Sequence, residues 1–107
     1  MLFRSGIKGA PKNLPTTWFI VKGFLVGPDA ILRKANLSDA NLSQQNLRYV
    51  DFTDTNLTGA NLSNTNLSNS TLVRATISRA NLSNVSLTQA DLTNIVATVA
   101  QIGRAHV

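Results

Sequence analysis

With 107 residues and 11.5 kDa the chain has room for one domain, and it carries no cysteine and one histidine, His106. A disulfide framework, a zinc–thiolate site and thiol catalysis are thereby excluded. Charged residues are 14% of the chain, about half the usual share, so amides and hydroxyls must supply its solubility. The net charge of +5 lies mostly at the ends: residues 1–29 hold +3, residues 30–101 hold +1, and Arg104 supplies the rest. A nucleic-acid surface needs Lys and Arg clustered on one face of the folded body. This body is nearly neutral, and nucleic acid is not an expected partner.

In chain order, residues 1–13 read as a disordered N-terminal tail, without the apolar run of a secretory signal. Residues 14–29 read as a capping hairpin. Trp18–Val21 is an apolar, β-prone run, Lys22-Gly23 is a two-residue turn, Phe24–Val26 returns, and Gly27-Pro28 is a breaker before the next element. The stretch from Trp18 to Val26 is interrupted by Lys22 and Gly23 and is too short to cross a membrane, so no insertion is expected. A cytoplasmic location is the default expectation.

From Leu32 a period of five governs the chain: Leu37, Leu42, Leu47, Phe52, Leu57, Leu62, Leu67, Leu72, Ile77, Leu82, Leu87 and Leu92 follow without a break. Two residues before most of them sits a small residue, as at Ala30, Ala40, Ala60 and Ala80, with Gln45 the exception. Asn or Asp often precedes the large residue, and Ser or Thr often follows it. Neither regular element can use this period. On an α-helix, successive Leu side chains would rotate about 140° apart. On a straight strand an odd spacing points them to opposite faces. Every fifth residue stays inside only if the chain turns a corner in each repeat and stacks closed coils on one another. The fold is therefore all-β, a β-solenoid over residues 30–101, with the thirteen large residues as its core.

The runs ANLSDANLSQ, DTNLTGANLSNTNLSN and RANLSNVSLTQADLTN resemble the pentapeptide-repeat family, whose consensus is A(D/N)LXX. The resemblance covers residues 30–94. It implies a right-handed quadrilateral β-helix with four repeats per coil, so that residues twenty apart stack. The segment LPTTWFIVKGFLVGPDA is similar to the lead-in LPxGWxxxxGYLxGPxA of bacterial members, with Thr17 in a Gly slot and Phe24 for Tyr. Its expected task is to cover the open end of the first coil, through Trp18, Phe19 and Phe24, because an uncapped stack end is an aggregation edge. In the implied register Lys34, Asp54 and Arg74 form one column of alternating charge. Gln45 occupies a slot that suits Ala.

The tail IGRAHV, residues 102–107, fits no repeat and is what ATC GGA AGA GCA CAC GTC encodes, a string that resembles a common sequencing adapter. The expectation is adapter read-through on a truncated fragment, with a bare C-terminal coil and end-to-end self-association.

No catalytic, metal or cofactor residues are expected. Asp51 and Asp91 share one face two coils apart, loosely like an inverting glycosidase pair, but both occupy the ordinary Asn/Asp slot of a flat wall. Arg33 beside Lys34 reads as a solvated corner. The expected function is a non-catalytic structural or protein-interaction module with an unidentified protein partner. The rivals are the topoisomerase-binding DNA mimicry that the family resemblance allows, which the neutral body disfavours, and binding of a regular surface such as glycan or ice by the wall carrying Ser43, Ser63 and Ser83.

Overall fold

A computed structural model describes residues 17–97. The expected tail at 1–13, the opening residues 14–16 of the lead-in, residues 98–101 and the adapter-like hexapeptide 102–107 lie outside the described residues. Strand β1, Phe19–Val21, pairs antiparallel with β2, Phe24–Val26, placing Phe19 opposite Val26 and Val21 opposite Phe24. The turn between them is Lys22 (φ 53°) and Gly23 (φ 82°). Positive φ at both central residues gives the type I′ geometry, whose twist matches that of the paired strands.

Beyond the hairpin the backbone coils. Parallel bridges join residues twenty apart, from Ile31–Asp51, Asn36–Asn56, Asn41–Asn61 and Asn46–Asn66 through to Thr76–Val96. Four repeats thus complete one coil, and each repeat contributes one bridge per neighbouring coil. The spacing between coils is that of paired strands, roughly 4.8 Å. Two donors and one acceptor per repeat point down the stack: Leu32 N–H reaches Asp51 O at 2.8 Å, Lys34 N–H reaches Thr53 O at 2.9 Å, and Ala30 O receives Asp51 N–H at 2.9 Å. The same triplet recurs along the stack, which leaves the backbone well satisfied despite the lack of long strands.

The corners have one geometry. From Asp29 to Asn94 every fifth residue is left-handed, with φ between 56° and 71°. The amide of the next residue closes back on the carbonyl of the large residue, as in Ala35 N–H to Leu32 O at 3.1 Å. Positive φ at the third residue alone defines a type II turn. Left-handed backbone suits Gly, Asn and Asp, and eight of these fourteen positions are of those types. The other six, Lys34, Gln44, Tyr49, Arg74, Arg79 and Gln89, adopt it because the stack on either side dictates it.

Inside, Leu32 through Leu87 at every fifth position are at most 3% exposed, Phe52 and Ile77 included, and Leu92 is half-buried against them. Leu92, the last of the thirteen, packs against that core without being fully enclosed. The second inward slot is filled by small residues. Thr55 and Thr65 are accommodated there by turning their hydroxyls onto Leu32 O at 2.7 Å and Leu42 O at 2.6 Å. Gln45 is half-buried, and among the described residues its corner lacks the closing amide bond.

Gly27-Pro28 follows the end of β2, as expected of a breaker, and has a second role. Ala30 N–H closes on Gly27 O at 3.2 Å, Asp29 is left-handed at φ 66°, and Asp29 N–H reaches Arg48 O at 3.0 Å. The pair follows the end of β2 at Val26 and in addition forms a corner of the solenoid.

Candidate interaction surface

The outward residues flank each core position, and their arrangement is set by one local bond. The side-chain oxygen of the residue before the core Leu accepts the amide of the residue after it, as in Asn41–Ser43 at 3.1 Å, Asn61–Ser63 at 3.1 Å and Asn81–Ser83 at 3.0 Å. The serine hydroxyl donates to the same oxygen at 2.7, 2.8 and 2.7 Å. Two donors thus converge on each Asn oxygen. Sequence reasoning sees both columns, Asn before and Ser after, but not the bond that joins them. The signal was available as a recurring Asn-Leu-Ser triplet.

Four walls result. One carries Asn41, Asn61 and Asn81 with Ser43, Ser63 and Ser83; it is uncharged, and its Asn-Leu-Ser triplet is the same in all three coils. The wall beginning at Ile31 carries most of the charge. Arg74 grips Asp54 with two bonds, Nε to Oδ1 at 2.8 Å and an NH₂ group to Oδ2 at 3.1 Å. Arg33 lies 3.6 Å from Asp51. Of the expected column, Asp54 and Arg74 are brought together, whereas Lys34 makes no ion pair within 4.0 Å among the described residues. The Arg74 guanidinium holds the Asp54 carboxyl below its ordinary value, and Asp54 in turn raises Arg74. Asp91 is held low by the Thr93 hydroxyl and amide. Asp51 and Asp91 share this wall with Thr71 between them, and each is engaged by its own threonine, Thr53 or Thr93. They do what Asn does elsewhere. Tyr49, 54% exposed, stands at the next corner with the Arg48 guanidinium 5.6 Å from its ring.

At the N-terminal end, Trp18, Phe19, Val21 and Phe24 are half-buried against the core cluster, and Leu25 and Val26 are fully buried. Lys22 Nζ donates to Ser38 O at 2.6 Å, tying the hairpin tip to the first coil. Among the described residues no cluster of three His, Cys, Asp or Glu could hold a metal. None of their helices is long and apolar enough to cross a membrane.

A four-sided stack of five-residue turns with a continuous Leu core defines a class of protein by itself. The Pentapeptide repeats family profile matches residues 35–72 and 55–94, with eight copies, and the chain belongs to that family. Among solved structures it is similar to a pentapeptide repeat protein from the Arabidopsis thaliana thylakoid lumen, at 24% identity and a TM-score of 0.63, over 65% of this chain and 49% of that one. It is also similar to Rfr23, a pentapeptide repeat protein of the cyanobacterium Cyanothece 51142, at 28% identity and a TM-score of 0.40, over 67% and 59%. A third is the plasmid-mediated fluoroquinolone resistance protein QnrB1, at 20% identity and a TM-score of 0.47, over 84% and 52%. The chain spans about half the length of the first of these. No curated protein sequence matches.

Proposed function

We propose that this chain is a non-catalytic, rigid interaction module, a right-handed quadrilateral β-helix that offers flat walls to a protein partner. The observation that carries this reading is the pinning of the outward side chains. Asn and Asp oxygens are engaged by the residue two positions on, so the walls present fixed groups instead of mobile ones, and little side-chain entropy is lost on docking. The carboxylates sit in the same pinned arrangement on open walls, which supports structural roles for them. The DNA-mimic alternative needs a continuous acidic stripe, and no column of the described walls is acidic in two successive coils: Thr71 separates Asp51 from Asp91, Lys34 and Arg74 flank Asp54, and Arg79 lies in line with Asp39.

Arginine introduced one wall at a time, at Thr58, Ser63, Ser68 and Val73, tests the proposal by proximity labelling in the native host. One wall's variant should lose a defined set of neighbours while melting like the parent. A neighbour set that survives arginine on all four walls would overturn it.

A further inference from the structure

We infer that residues 26–30 are an additional repeat whose core side chain is supplied by Trp18, so that the hairpin is a strap latched into the solenoid's own Leu column. The five-residue register from Leu32 runs back to Gly27. Its corner matches that of a repeat, whereas the Val26–Asn46 bridge and the Gly27 N–H bond to Asn46 O that a full repeat would make are not formed among the described residues. The corner closes from Ala30 N–H to Gly27 O, Asp29 takes the left-handed slot, and Asp29 N–H bonds to the coil below as Lys34 N–H does one repeat later. Pro28 occupies the second turn position, which its fixed φ favours. Gly27 is buried, and a Cβ placed on it would lie 2.3, 2.6 and 2.7 Å from three atoms of the Trp18 indole. The indole therefore fills the space into which a Leu at 27 would project. Glycine is required there for room and not for φ.

This makes the cap a borrowed repeat. A Leu held by its own backbone cannot leave its slot, whereas Trp18 can withdraw if β1 and β2 swing away. The N-terminal end is thus closed by a strap that is separable from the stack, its closure depending on the pair Trp18 and Gly27.

The test is a rescue cycle read by melting and by emission of the sole tryptophan. Gly27→Leu should expel the indole and shift its emission to the red, with a melting loss of roughly 5–15 °C. Trp18→Ala should show a similar loss from the emptied slot. The double variant Trp18→Ala/Gly27→Leu restores a side chain to the column and should recover at least half of the combined loss. Unchanged emission in Gly27→Leu, or losses that simply add in the double variant, would overturn the inference. If Gly27→Leu does not fold, Gly27→Ala serves in its place, because the same clash begins at the first carbon.

Discussion

At the scale of single residues, the left-handed corners are where sequence and backbone disagree most. Gln44 pays for a conformation that Asn adopts with little strain, so Gln44→Asn should stabilise by about 0.5–1 kcal/mol. Asn64→Val puts a β-branched residue at φ 59° and should cost about 1–2 kcal/mol or more. Urea midpoints that move the same way for both would show that the corners tolerate any side chain. Ser70 poses a different question. Its hydroxyl is buried and has no hydrogen-bond partner, although Thr55 and Thr65 in equivalent slots have found one. Ser70→Ala removes an unsatisfied polar group and should be neutral or stabilising by up to about 1 kcal/mol. A clear loss of stability would mean that the hydroxyl has a partner in solution.

At the scale of the repeat, the two threonines differ because their corners differ. Leu32 O receives both the Thr55 hydroxyl and the Ala35 amide, whereas Leu42 O receives the Thr65 hydroxyl without a closing amide from Gln45. Thr65→Val should therefore cost about 1–2 kcal/mol and Thr55→Val clearly less, since only the first strands a buried carbonyl. Equal losses in denaturant melts would assign both costs to packing. The coil was legible in the sequence because a period of five is incompatible with straight elements, and the Leu positions announced the core directly. The hairpin was legible from Lys22-Gly23. What stayed hidden were contacts that no spacing encodes: Trp18 on Gly27, the hydroxyls turned onto carbonyls, and the role of Gly27-Pro28, which reads as a breaker because Pro and Gly usually interrupt. Leu92 packs against the core without being enclosed, since periodicity says which way a side chain points and not what covers it.

At the scale of the molecule, charge alternates by coil. Residues 30–49 are net positive, Asp51 and Asp54 make the next coil negative, Arg74 and Arg79 make the third positive, and Asp91 follows. Each coil is thus attracted to its neighbours, most visibly at Asp54–Arg74. Because Asp54 titrates below its ordinary value in the fold, its contribution is present above the unfolded pKa and is lost as pH falls through the folded one, below about pH 4. Arg74→Gln should flatten that acid limb, leaving the part due to Asp91. Urea midpoints measured from neutral pH down to about pH 2 will show it, and an unchanged acid limb would remove Asp54–Arg74 from the account.

The twenty-residue closure also makes the molecule behave like a combination dial. Duplicating residues 50–69 adds one whole revolution, and every downstream wall keeps its heading. Duplicating a single repeat, 55–59, advances everything after it by a quarter revolution, which carries Arg74 away from the Asp54 corner and turns the uncharged Asn–Ser wall of the later coil toward a different side. The twenty-residue insertion should keep binding and melting behaviour, and the five-residue insertion should keep the fold but lose any partner that spans more than one coil. Gene duplication in such a chain is therefore quantised: growth in steps of four repeats lengthens the rod, and growth in any other step re-addresses its surface.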